Sequence, residues 1–155
     1  MPNWLYIVTH TFYLLGLCVW IGGGVILGAL VAPALFRSLP RHQAGSIFGP
    51  ILRRFSRLRL AAVVIMIVTA AIKHLVWETH AISPWIAIRW LALAVMAAIV
   101  LYELFGLERA MEATRPEPDA TDDDPRRARF MRLHKRSESL MKAGLASAVV
   151  ALLLS

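Results

Sequence analysis

The sequence predicts an all-α integral membrane protein: an up-and-down bundle of four transmembrane helices, with an interfacial amphipathic helix between the first and second spans. Three observations carry this prediction. Of the 155 residues, 58% are hydrophobic and the mean hydropathy is +0.61, too apolar for an ordinary soluble domain. Apolar runs recur at membrane length, about 20 residues being needed to cross roughly 30 Å of hydrocarbon. The Lys and Arg residues sit beside those runs, so the formal charge of +7 points to anionic lipid headgroups rather than to nucleic acid. A single membrane domain over residues 1–155 is implied.

The first span, about 4–36, contains no Asp, Glu, Lys or Arg, and its excess length predicts tilt or a bent exit. At about 100° per residue His10, Leu17, Gly24 and Gly28 share a narrow sector, which places the imidazole on a face where another helix can approach closely. The stretch 37–59 then carries six arginines, at 37, 41, 53, 54, 57 and 59. Within it Ile47, Phe48, Ile51, Leu52, Phe55 and Leu58 recur at helical spacing against Arg53, Arg54 and Arg57. That pattern predicts an interfacial helix over about 43–58 that leads directly into the next span. The second span, about 60–77, carries Lys73 and His74 near its far end. A short polar turn follows, and the third span, about 84–107, starts on a proline well suited to a first helical turn. Arg89 lies near its start and Glu103 near its end.

Residues 113–128, ATRPEPDATDDDPRRA, have the composition of a disordered linker. A short fourth span is predicted over about 139–154, where Gly144, Ser147, Ala148 and Ala151 form a small-residue face for close helix packing. The one cysteine, Cys18, excludes an intrachain disulfide and a cysteine-based metal cluster. Orientation follows from the cations: six Arg at 37–59 and eight Lys or Arg at 109–136, against Lys73 and Arg89 beside the remaining turn. The positive-inside bias puts both basic connections in the cytoplasm and both termini outside, for a multi-pass protein of the inner (plasma) membrane.

This topology gathers His10, Lys73, His74, Glu78, His80 and Arg89 at one level, the outer half of the bundle. His10 and His74 can supply the axial ligands of haem b, with Lys73 or Arg89 pairing a propionate, because haem iron takes imidazole and its carboxylates seek cations. Alternatively His10, His74 and Glu78 can hold copper or a similar metal ion. The plain alternative is that His10 hydrogen-bonds a neighbouring helix while Lys73, His74 and Arg89 reach to the headgroups. His134 belongs to the opposite interface and shares no ligand with His10; four-residue spacing aligns it with Glu138 and Lys142 on one helix face. Glu103 is expected to neutralise an arginine of the basic connections.

The segments HTFYLLGLCVWIGGG, VAPALFRSLP and FMRLHKRSESL resemble the transmembrane protein 205-like (DUF4149-type) family of four-helix membrane proteins. The carrying residues are His10, Trp20, Gly22, Gly23, Pro33 and Phe36 at the front and His134 with Ser137 at the back. That family is distantly similar to the copper-resistance D superfamily, which includes the HemJ-type protoporphyrinogen oxidases with an early-helix histidine. The resemblance implies a scaffold more than an activity. The residues point to a non-enzymatic membrane protein with a histidine-containing intramembrane pocket for haem or a metal ion. The alternatives are a transporter or resistance factor for metal species, and a haem-linked oxidoreductase. A transporter of this size calls for a homo-oligomer, since four short helices leave little room for a central aqueous path.

Overall fold

The computed structural model describes residues 3–78, 83–114 and 125–155, apart from the side chain of residue 41. Every regular element in them is helical. α1 (Asn3–Val25) runs on through a π-helical stretch, Ile26–Val31, into α2 (Ala32–Ser38). The π turn is marked by the Ala32 N–H, which donates to the Leu27 carbonyl five residues back. Pro33 falls in the first turn of α2, where a missing N–H costs little. Leu39 ends the run in extended conformation, since a residue before proline is steered out of helical geometry.

α3 (Arg41–Trp77) is one unbroken helix of 37 residues. Residues 43–58 run directly into the second span within this one helix, across RLRLAAV, which holds no glycine or proline to stop propagation. At 1.5 Å per residue α3 is about 55 Å long. That exceeds the hydrocarbon thickness of about 30 Å.

α4 (Pro84–Tyr102) continues through a second π-helical stretch, Glu103–Leu107, into α5 (Glu108–Ala113). Here the Glu108 N–H reaches back to the Glu103 carbonyl. α6 (Pro125–Leu153) begins inside the expected linker, so residues 125–128 are helical, on a proline start that suits a first turn. The centre of that linker, residues 115–124, lies outside the described residues, as do residues 79–82, which hold His80.

Three helical stretches are long and apolar enough to cross a membrane: Asn3–Ser38, His42–Trp77 and Pro84–Ala113. α6 is not among them, because its apolar half is short and its first half is basic. The four long helices nevertheless pack as a ring in the order α1, α3, α4, α6, with α6 returning to α1. The residue pairings run antiparallel. On α1, Gly16 meets Met66 and Ala62 of α3, and Gly24 meets Leu145 of α6.

The shared core is Tyr13, Leu17 and Trp20 of α1, Val63 and Met66 of α3, Leu93, Met96 and Val100 of α4, and Ala148 and Ala151 of α6. Small residues set the spacing. A Cβ at Gly16 would lie 2.6 Å from Met66 Cγ and 3.1 Å from the Ala62 carbonyl oxygen, so only glycine allows α1 and α3 to approach this closely. The outer surface is apolar as well, with Trp4, Ile7, Leu15, Leu30, Leu75, Trp85, Leu91 and Phe105 all exposed. A belt of that kind is suited to lipid, not to water.

Candidate functional site

Two polar clusters interrupt this apolar bundle, one at each end of the core. They lie 14 residues apart on α3, between Lys73 and Arg59, or about 21 Å at 1.5 Å per residue.

At the first end, α1 supplies Tyr6, His10 and Tyr13, α3 supplies Lys73, His74 and the capping Glu78, and α4 supplies Arg89 and Trp90. Lys73 is 3% exposed, and its Nζ lies 3.4 Å from His10 Nδ1. The ammonium also sits over the rings of Tyr6 and Tyr13, at 5.3 and 5.7 Å. His10 is half-buried and stacks on Tyr6, one helical turn away.

Glu78 accepts two hydrogen bonds from the guanidinium of Arg89, one of them from Nη1 at 3.1 Å, in the fork geometry that suits this pair. The Arg89 hydrogen bond holds the Glu78 carboxyl below its ordinary range against the opposing effect of burial, and the charges of Arg89, Lys73 and His74 add to the lowering. His74 Nδ1 lies 3.8 Å from Glu78 Oε2, too long for a hydrogen bond, and it is buried without a hydrogen-bond partner. Lys73 thus differs from Arg89. Among the described residues no carboxylate comes within ion-pairing distance of it.

The structure brings His10 to Lys73, and His74 and Arg89 to Glu78. No group of three or more His, Cys, Asp or Glu side chains among the described residues is arranged to hold a metal ion, so His10, His74 and Glu78 do not assemble as a three-ligand cluster.

At the second end, Arg59 of α3 and Glu103, the first residue of the π-helical stretch after α4, form an ion pair whose side chains are 4% and 7% exposed. The Arg59 guanidinium also lies over Trp20 and Phe55, at 5.1 and 5.3 Å. Its Nε is buried with no hydrogen-bond partner. Beside the pair is a cavity of about 260 Å³ whose lining includes Gly28, Phe55, Arg59, Glu103 and Met141, with His134, Ser137 and Glu138 of α6. Glu108 faces Arg53 at 3.6 Å and Glu138 faces Lys142 at 2.8 Å. His134 stacks on Phe130, near this cavity and away from the His10 cluster.

A family described only as a domain of unknown function, DUF4149, matches residues 15–118, two thirds of the chain. The chain belongs to the DUF4149 family. Neither a curated protein nor a solved structure matches it. The stretch matched by DUF4149 contains Arg59, Lys73, His74, Glu78, Arg89 and Glu103, whereas His10 and all of α6 lie beyond it. Both buried cations of α3, and the acids Glu78, which caps α3, and Glu103, which follows α4, are thus inside the DUF4149 region.

Sequence reasoning anticipated a partner for Glu103 among the arginines but not the cavity beside it. The available signal was a polar residue on each of three helices, Ser56, Glu103 and Ser137, near basic flanks. Such a signal says nothing about how far apart the helices stand.

Proposed function

We propose that the protein is a multi-pass protein of the plasma membrane that binds a carboxylate-bearing ligand between its helices at the His10 end. In this reading α1, α3, α4 and the apolar half of α6 all cross the bilayer, both arginine-rich connections are cytoplasmic and both termini are outside. Its role is binding, not catalysis.

The observation that carries the reading is Lys73. A buried ammonium with no carboxylate in ion-pairing distance among the described residues is costly in a membrane interior, where such residues face partners or functional cavities. Its nearest groups are an imidazole nitrogen and two aromatic rings, none of which neutralises a positive charge. Arg89 is already committed to Glu78, so Lys73 is the cation left to receive a ligand carboxylate.

Haem b is the ligand that uses the whole set. His10 and the orphaned His74 Nδ1 offer imidazole nitrogens, and Lys73 offers the partner for a propionate. When bound, haem supplies an iron centre for electron transfer or ligand binding. The protein's own contribution is to ligate and orient it and to exclude water.

The test is the absorption spectrum of detergent-purified protein, with haemin titrated where none is retained. A Soret band is expected that is lost in His10→Ala and His74→Ala, weakened in Lys73→Met and kept in His134→Ala. Stoichiometric copper without haem would replace the haem reading by a metal one. Absence of saturable haemin binding, or its retention in all three variants at the His10 end, would overturn the proposal.

A further inference from the structure

We propose that the cavity beside Arg59 is a second ligand site, one that takes the head of a neutral amphiphile presenting a hydroxyl or carbonyl oxygen. Three independent observations converge there.

The first is backbone geometry. Both departures from α-helical geometry in the described residues border this cavity: the stretch Ile26–Val31 contributes Gly28, and the stretch Glu103–Leu107 contributes Glu103 and Leu107. A π turn gives up regular hydrogen bonding for a local widening, and it recurs at functional sites. Two of them border this one cavity, whereas the helices pack closely at Gly16 and Gly144 without any such turn.

The second is an unsatisfied donor. Arg59 is 3% exposed and lines the cavity, and its Nε has no hydrogen-bond partner among the described residues. A buried N–H left unpaired costs about 1–3 kcal/mol, so an acceptor oxygen entering the cavity is favoured.

The third is charge. Each carboxylate of the lining faces a cation: Glu103 faces Arg59, Glu138 faces Lys142, and Glu108 faces Arg53, which also reaches Glu112. No carboxylate of the lining is left without a facing cation, and its one arginine, Arg59, is paired, which favours a neutral head over an ion. The other walls, among them Phe48, Leu52, Met111 and Met141, are apolar and suited to the start of a hydrocarbon chain. At about 260 Å³ the space lies just under the roughly 300 Å³ at which drug-sized pockets begin, so it fits a head and the first part of a chain.

Two sources share this chemistry, a glycerolipid with free hydroxyls and a quinone with ring carbonyls. Calorimetric titration of delipidated protein in detergent separates them, with monoolein and decylubiquinone as probes and oleate as the anionic control. Saturable binding of one neutral probe is expected, with oleate weaker. Leu52→Trp and Gly28→Leu both fill the cavity, and in either one affinity should drop at least tenfold while the melting temperature is held. Should Leu52→Trp fail to fold, Gly28→Leu still decides. The proposal is overturned if neither neutral probe binds saturably, if oleate binds as tightly as they do, or if the folded variants bind as the natural sequence does.

Discussion

Two buried cations on one helix, Arg59 and Lys73, meet opposite circumstances. Arg59 has a carboxylate from the neighbouring helix and two aromatic rings around its guanidinium. Lys73 has rings and a neighbouring imidazole but, among the described residues, no carboxylate within ion-pairing distance. The same dry environment makes both arrangements consequential, because removing water raises the cost of any charge left alone and the reward for pairing it. A cation paired from within leaves no charge to answer, whereas one left open is, on the reading proposed above, kept for a ligand. On that reading only the Lys73 end takes a ligand to complete its charge balance.

The largest expected effect comes from breaking the closed end. Glu103→Gln removes the anion but leaves Arg59 buried, which should cost about 3–5 kcal/mol, read as a marked drop in melting temperature in detergent. An unchanged melting temperature would mean that water reaches Arg59 and that the two ends are alike. The seam between the ends comes next. Gly16→Leu drives a side chain into Met66 and the Ala62 carbonyl and should cost about 1–3 kcal/mol by overpacking. If the variant is as stable as the natural sequence, α1 and α3 do not pack as closely as the contrast requires.

A smaller effect is expected at Tyr13, whose hydroxyl donates to the Ala151 carbonyl at 3.1 Å and whose ring lies below Lys73. Tyr13→Phe keeps the ring and loses about 0.5–1.5 kcal/mol of stability. It should leave haemin binding intact, which separates the ring's role from the hydroxyl's.

The mildest effect is the pH dependence of Glu78. Arg89 depresses its folded-state pKa, so the stabilising contribution is complete above the ordinary carboxylate value of about 4.5 and is lost as pH falls below it. Melting temperatures measured downward from neutral pH should show this loss, and Arg89→Met should remove the Glu78 component.

Much of the fold was legible because lipid solvation imposes long apolar runs and pushes Lys and Arg to their edges. Three span-length helices and the pairing of Glu103 with an arginine follow from that constraint. The excess length of the first run signalled an irregular exit, yet nothing in IGGGVILGALVAPALF fixes a π turn at Ile26–Val31. A π turn inserts one residue into the helical period, and an all-apolar stretch shows no shift in pattern. The junction before Leu60 reads in the sequence as a direct continuation, and it is one. The change from an arginine-striped to an apolar pattern marks a change of surroundings, while the backbone, made of good helix formers, continues unbroken. At the His10 end the participants were legible, but their pairing depends on side-chain reach. Lys73 turns to His10 and leaves Glu78 to Arg89.

The most direct measurement is the melting temperature of Lys73→Met, taken beside Glu103→Gln in the same detergent without added ligand. If Lys73 is an uncompensated cation kept for a ligand, the variant melts at the same temperature as the natural sequence or higher, while its haemin binding is weakened. A drop comparable to that of Glu103→Gln would show that Lys73 is already satisfied within the fold, and would contradict the distinction between the two ends.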